Sequence, residues 1–196
     1  TNAARDFTLK VDAQDLLPGT SYYFRFKVAG LTSPVGRCKT LPAGSIDQVR
    51  FAVLSCSNYP AGLFHVYAAA AAEAELDAVL HLGDYIYEYG NGGYATEDAA
   101  ALGRLLPDDN ASEILSLDDY RKRYALYRTD ADLQLLHASA PFIAVWDDRE
   151  VANDTWRDGA ENHNDGEGDF TERKLAALQA YFEWMPVRPA SPDDEE

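Results

Sequence analysis

Apolar side chains occupy every second position of residues 22–28, and this period of two residues predicts a half-buried β-strand. The positions concerned are Tyr22, Phe24, Phe26 and Val28. A Pro-Gly turn at residues 17–20 precedes this strand, and residues 32–34 are predicted to begin the next hairpin. Residues 7–40 therefore predict about three strands of a β-sandwich, too few to close a two-sheet core, so we expect the chain to begin inside a domain. Residues 41–45 are the predicted linker out of it.

After Val49 the pattern changes to alternating strands and helices. The continuous apolar run Phe51–Leu54 is typical of a strand that is buried on both faces. Residues 68–76 are rich in Ala and Glu and predict a helix, and residues 78–82 predict the next strand. Residues 142–146 predict a third core strand. The order of strand, helix and strand predicts a parallel sheet with helical connections.

Longer helices are predicted in the second half of the chain. Ser116 is expected to cap one long helix that continues to about His137, with Asp119 in its first turn. Three tyrosines at helical spacing predict its buried face: Tyr120, Tyr124 and Tyr127. A last helix is predicted to be capped by Thr171 and to end near Pro186.

Composition narrows the class of protein. A chain of 196 residues with 46% hydrophobic residues can fill one core and a small second unit. The longest apolar stretches are far shorter than the roughly 20 residues that span a bilayer. The net charge of -16 disfavours binding to nucleic-acid backbones or anionic lipids and suits a protein that gathers cations. Cys38 and Cys56 allow one disulfide or none, and residues 193–196 predict a solvated acidic tail.

Polar side chains follow each of the three predicted core strands, at residues 55–58, 83–88 and 147–150. Ligands of open α/β sheets collect beyond the carboxyl ends of the strands. Burying uncompensated carboxylates at three successive strand ends is energetically costly, and a cluster of cations would remove that cost. The sequence therefore predicts a metal site at this edge of the sheet.

The residue types limit which metals suit this site. Asp84 and Tyr87 follow Gly83, whose freedom lets the backbone approach an ion closely, and Cys56 would add a thiolate. Taken alone, Cys56 is more often a small buried apolar residue, and Asp84 and Tyr87 are alternatively a turn residue and a core residue. Together these groups suit Fe3+, whereas oxygen ligands from Asp148 or Asn153 suit Ca2+.

Four ordered segments then carry a specific resemblance: FAVLSCSNYPAGLFHVY, LDAVLHLGDYIYEYG, APFIAVWDDREVANDTW and LQAYFEWMPVRP. They resemble consecutive signatures of the PhoD-like alkaline phosphatase family, a branch of the calcineurin-like metallophosphoesterases. The resemblance implies an α/β fold, the N-terminal half of a metallophosphoesterase-type β-sandwich flanked by helices. It also implies that residues 1–44 end a fibronectin-III-like sandwich domain and that residues 45–196 form the first half of the phosphatase domain.

The same resemblance implies function. It predicts metal-dependent hydrolysis of small phosphomonoesters and phosphodiesters outside the cytoplasm, by a water whose pKa bound cations lower. By position, Cys56, Asp84 and Tyr87 match the family's iron ligands, and Asp148 or Asn153 matches its calcium side. The expected cofactors are Fe3+ and Ca2+.

Two departures leave alternatives open. The third segment usually contains WDDHE, but this chain has Arg149 in place of the histidine, and an arginine neither binds metal nor transfers a proton at ordinary pH. Arg149 is predicted to bind the phosphate as a catalytic residue, or else marks a damaged site or points outward. The later segments with histidine ligands are expected to be missing. The alternative functions are a catalytically silent metal-binding protein, or an incomplete chain that aggregates through unfinished sheet edges.

Overall fold

The computed structural model describes residues 1–188, so the predicted acidic tail at residues 193–196 lies outside the described part. The strands of the described residues are β1 Ser21–Phe24, β2 Lys27–Val28, β3 Leu31–Thr32, β4 Gly36–Lys39, β5 Phe51–Leu54, β6 Ala78–His81 and β7 Phe142–Ala144. Their α-helices are α1 His65–Ala71, α2 Ala99–Leu102, α3 Leu117–Tyr127, α4 Ala131–Ser139 and α5 Phe170–Trp184.

The central sheet is parallel, with strand order β5-β6-β7. Leu54 lies opposite His81 in the first pair, and Leu80 lies opposite Ile143 in the second. The prediction of an α/β fold with parallel strands is therefore confirmed. Because all three strands run the same way, the segments that follow them meet at one edge of the sheet.

One face of this sheet is exposed, and the prediction that β5 is buried on both faces was wrong. Phe51 and Val53 are 50% and 58% exposed, and Ile143 on β7 is 56% exposed. Ala52 and Leu54, which point the other way, pack against the core. The prediction failed because the helices of residues 1–188 cover only one face of the sheet. An apolar run by itself does not distinguish a strand buried on one face from a strand buried on both.

The predicted long helix is two helices. Ser116 caps α3 as expected, in a reciprocal capping box with Asp119. The chain then breaks after Tyr127, because the Asp130 side chain accepts hydrogen bonds from two backbone N–H groups and caps α4 instead. The predicted tyrosine face is confirmed, since Tyr120, Tyr124 and Tyr127 are fully buried.

The other helices differ at their ends from the predictions. Helix α1 occupies residues 65–71 rather than 68–76, and a turn with Glu75 at positive φ precedes β6. Helix α5 is capped by Asp169 and not by Thr171, because the Asp169 side chain accepts the backbone N–H of Glu172. Strand β7 ends at Ala144 instead of residue 146.

The N-terminal strands form two small antiparallel pairs, β1 with β4 and β2 with β3. The predicted half-buried face was wrong: Phe24, Phe26 and Val28 are 46%, 44% and 69% exposed. The strand also breaks at Phe26, whose backbone N–H donates to the Ser33 hydroxyl. Of the four alternating residues only Tyr22 is partly buried. No second sheet within the described range covers the other three side chains.

Two simpler expectations concern cysteines and membranes. Within residues 1–188 both Cys38 and Cys56 are free. No helix in the described part of the chain combines the length and the apolar character that crossing a membrane requires.

Candidate metal centre

Unusual backbone conformations mark the ends of β5 and β6. Cys56 and Asp84 both have left-handed backbones, with φ of 62° and 55°, and Gly83 has φ of 100°. Non-glycine residues rarely adopt this region, and such strain concentrates at functional sites. A Cβ on Gly83 would lie 2.4 Å from the backbone nitrogen of Asp147, so only glycine lets the two strand ends approach this closely.

Asp84 is the centre of the arrangement. Its side chain is buried, and its Oδ2 accepts hydrogen bonds from the Cys56 thiol at 3.5 Å and from the Tyr87 hydroxyl at 3.2 Å. Its Oδ1 is buried and accepts no hydrogen bond from any residue of the described chain. The structure therefore brings together the three residues predicted to bind iron and leaves one carboxylate oxygen without a protein partner.

Two further carboxylates lie beside Asp84. Oxygens of Asp84, Asp147 and Asp148 all lie within 4.8 Å of one another. Burial, and the nearby negative charges of Asp148 and Asp147, raise the pKa of Asp84 above its usual value. A bound cation would relieve this mutual repulsion. Clustered carboxylates are therefore a suitable set of ligands for a cation.

Glu150 holds the ends of β6 and β7 in this position. It is buried, and its carboxylate accepts hydrogen bonds from the backbone N–H groups of Asp84 at 3.0 Å, Tyr85 at 2.6 Å and Asp147 at 2.8 Å. Burial raises the pKa of Glu150 to about 7, against the opposing effect of these hydrogen bonds. One side chain thus fixes the backbone of both acidic loops.

Arg149 points inward, which contradicts the outward-facing alternative. Only 13% of its side chain is exposed, and its guanidinium lies 3.4 Å from the fully buried Glu88 carboxylate. The guanidinium carbon is also 5.1 Å from the Tyr87 and Tyr89 ring centroids and 5.3 Å from the Tyr94 ring centroid. A second carboxylate, that of Asp148, lies 3.9 Å from the Arg149 Nε. Arg149 is therefore held by two anions and three aromatic faces, next to the candidate iron ligand Tyr87.

Asn153 is placed differently from the other candidates. Its side-chain amide donates to Glu161 at 2.8 Å, and its backbone N–H donates to Glu88 at 2.8 Å. Asp148 instead accepts the backbone N–H of Asp154 at 2.5 Å. Of the two candidate calcium ligands, Asp148 lies in the carboxylate cluster, whereas Asn153 is not a member of the cluster and donates its side-chain nitrogen to Glu161.

Sequence reasoning missed three acidic residues of this region as site residues: Asp147, Glu88 and Glu150. All three lie inside the strand-end segments that the sequence singled out, but their roles depend on which backbone groups they meet across the sheet. Asp147 and Glu150 had a local signal, since their spacing of three residues is that of a capping box, which the structure contains.

The donor set fits a metal centre. The orphaned Asp84 Oδ1 offers an oxygen, Cys56 and Tyr87 offer a thiol and a phenol, and Asp148 adds a second carboxylate at short range. Thiolate, phenolate and carboxylate ligands suit iron, and clustered carboxylates also suit calcium.

Comparison with known proteins decides the family. Residues 51–196 match the family model described as PhoD-like phosphatase. The chain belongs to the PhoD-like phosphatase family. Residues 1–42 match the model described as the N-terminal domain of PhoD-like phosphatases. The family implies a metal cofactor, in agreement with the acidic cluster at Asp84.

Individual relatives agree with this membership. The chain is 42% identical over 186 residues to alkaline phosphatase D of Bacillus subtilis (strain 168). This alignment covers 94% of the chain and 31% of the Bacillus protein. A solved structure of PhoD matches with a TM-score of 0.80 and 42% identity, covering 93% of this chain and 35% of that one. The α/β architecture is therefore that of PhoD, and the chain spans about a third of the length of these relatives.

Proposed function

We propose that this chain provides the metal-binding side of a phosphoester hydrolase of the alkaline phosphatase D type. The observation that carries the proposal is the buried Asp84, which touches Cys56 and Tyr87 and whose Oδ1 no residue within 1–188 satisfies. In this proposal Cys56, Asp84 and Tyr87 hold Fe3+, and Asp148 holds Ca2+. Asn153 is the alternative calcium ligand through its side-chain oxygen, which the hydrogen bond from its amide nitrogen to Glu161 does not use.

Arg149 is the proposed phosphate-binding residue. Its guanidinium is a permanent cation, and its planar donors match the oxygens of a phosphate group. Glu88 and the tyrosine rings hold it in place before substrate arrives, so binding requires little reorganisation. The bound metal ions would supply the Lewis acidity that polarises the phosphoryl group and acidifies a water molecule.

The substrates proposed are small phosphomonoesters and phosphodiesters, and water is the nucleophile. A monoester then gives an alcohol or phenol and inorganic phosphate, and a diester gives an alcohol or phenol and a phosphomonoester. We propose a location outside the cytoplasm, on family resemblance. The finer fold is also a proposal: a β-sandwich with helices, preceded by a fibronectin-III-like unit, with the division near residue 44. The exposed apolar face of Phe51, Val53 and Ile143 supports a sandwich, because a second sheet would bury it.

Hydrolysis assays test the function. The chain loaded with Fe3+ and Ca2+ is expected to hydrolyse p-nitrophenyl phosphate and bis-p-nitrophenyl phosphate at alkaline pH, and Asp84→Ala and Cys56→Ala are expected to abolish turnover. The matched control is Asp98→Ala, in an exposed aspartate that is not a member of the carboxylate cluster. Metal binding without turnover in folded protein would instead favour a catalytically silent metal-binding protein.

A further inference from the structure

An aromatic surface borders the candidate metal centre, and beyond holding Arg149 it has no role in the function proposed so far. Tyr94 is its outermost member and lies on a turn that is firmly anchored. The backbone N–H of Asn91 donates to Ala111 at 2.8 Å, and the Asn91 side chain accepts the backbone N–H of Leu106 at 3.0 Å. The Tyr94 carbonyl accepts the side-chain amide of Asn58, two residues after Cys56, at 3.2 Å. The turn is thus attached to the loop that carries a candidate ligand.

The Tyr94 ring continues the wall that Tyr87 begins. The two rings are nearly parallel, with an angle of 6° and centroids 6.3 Å apart, and Tyr89 lies 5.9 Å from Tyr94. The Tyr87 hydroxyl is 3.2 Å from Asp84, so Tyr94 stands one ring outward from the candidate ligands. The Arg149 guanidinium borders the same rings.

This wall is open to an incoming molecule. Tyr94 is 57% exposed, whereas Tyr87 is 7% exposed. Exposed aromatic faces on a fixed backbone stack planar groups, and an adjacent guanidinium adds a further planar surface. A phosphate bound near Arg149 and Asp84 would therefore place its ester substituent within reach of the Tyr94 ring.

We propose that Tyr94 forms a leaving-group subsite that selects phosphoesters with a planar aromatic substituent. The inference rests on the proposed function, because Tyr94 would contact the ester substituent of a substrate whose phosphate group lies near Arg149 and Asp84. Tyr94 acts here as a specificity-determining residue that stacks on the leaving group and takes no part in bond cleavage.

Two pairs of probes test it in the chain loaded with Fe3+ and Ca2+. Phenyl phosphate and ethyl phosphate report hydrolysis, and the non-hydrolysable phenylphosphonate and methylphosphonate report binding by calorimetry. The variants are Tyr94→Ala, Tyr94→Phe, which keeps the ring, and the control Tyr23→Ala, which removes a tyrosine that is 70% exposed on β1.

Tyr94→Ala is expected to weaken phenylphosphonate binding about tenfold while changing methylphosphonate binding less than about twofold, because Glu88, Tyr87 and Tyr89 still hold Arg149 in the variant. Tyr94→Phe and Tyr23→Ala are expected to keep the wild-type preference. Equal losses for both phosphonates, no loss, or binding of neither phosphonate would overturn the subsite. If phenylphosphonate binds more tightly than methylphosphonate but neither phosphate ester is hydrolysed, the proposed function alone is rejected. If the esters are hydrolysed but phenylphosphonate does not bind more tightly, the subsite alone is rejected.

Discussion

Gly83→Ala should separate the two acidic loops of the metal centre. An alanine Cβ would lie 2.4 Å from the backbone nitrogen and 2.5 Å from the Cβ of Asp147, and 2.9 Å from the carbonyl carbon of Trp146. All of these belong to the backbone or its first side-chain atom, so no side-chain rotation relieves the overlap. The φ of +100° adds conformational strain. Overpacking of about 2 kcal/mol and strain of about 1 kcal/mol give a loss of roughly 3 kcal/mol in the free energy of unfolding.

Gly166→Ala is the matched control. Gly166 has a φ of +96°, and a Cβ added there would meet no heavy atom within 4 Å. It should therefore carry the strain without the overlap. Thermal unfolding followed by circular dichroism should give a melting temperature roughly 6–12 °C lower for Gly83→Ala and only about 2–4 °C lower for Gly166→Ala. Iron binding should be lost in the first variant alone. Equal destabilisation and equal iron binding would refute the close contact between the two strand ends.

Three further predictions concern the surroundings of the site. Because burial raises the pKa of Glu150 from 4.5 to about 7, the metal-free chain holds a proton more tightly when folded; its stability should fall by about 3 kcal/mol as pH rises from 4.5 to above 7. Urea unfolding of Glu150→Gln should show a flatter pH dependence, and an unchanged slope would contradict this. Glu88→Ala leaves the guanidinium of Arg149 without its buried partner and should lower the unfolding free energy by about 3 kcal/mol. In a double-mutant cycle with Arg149→Ala, the loss in the double variant should be smaller than the sum of the two single losses. Additive losses would argue against the ion pair. Val53→Thr with Ile143→Thr should reduce the fluorescence of a dye that binds apolar surfaces, without changing iron content; unchanged fluorescence would mean that this face is not exposed in solution.

Local patterns were enough to predict much of the fold. The apolar runs located β5 and β6, and the spacing of Tyr120, Tyr124 and Tyr127 identified the buried face of α3. The break between α3 and α4 was missed, because an aspartate can lie inside a helix or cap the start of one, and the sequence around Asp130 does not distinguish the two. In the structure Asp130 caps α4. Burial of β5 on both faces could not be judged, because a strand's own residues do not reveal which layers cover it.

The candidate site was predictable to the extent that parallel strands bring their ends together. That rule placed Cys56 near Asp84, and the short spacing to Tyr87 completed the contact. The contacts of Glu150 and Glu88 across the sheet were not predictable, because they join Glu150 to Asp84 and Tyr85, and Glu88 to Asn153, over more than 60 residues of sequence. The direction of Arg149 likewise depends on Glu88 and on rings from a distant turn.

Iron content and visible absorption of the purified chain test the central claim most directly, for wild type, Asp84→Asn, Tyr87→Phe and the control Asp98→Asn. Wild type and Asp98→Asn should retain iron and show a coloured absorption band from a phenolate or thiolate ligand. Asp84→Asn should lose iron, and Tyr87→Phe should lose or shift the band. A folded wild-type chain without iron, or iron retained equally in all four proteins, would contradict a metal centre built on Asp84.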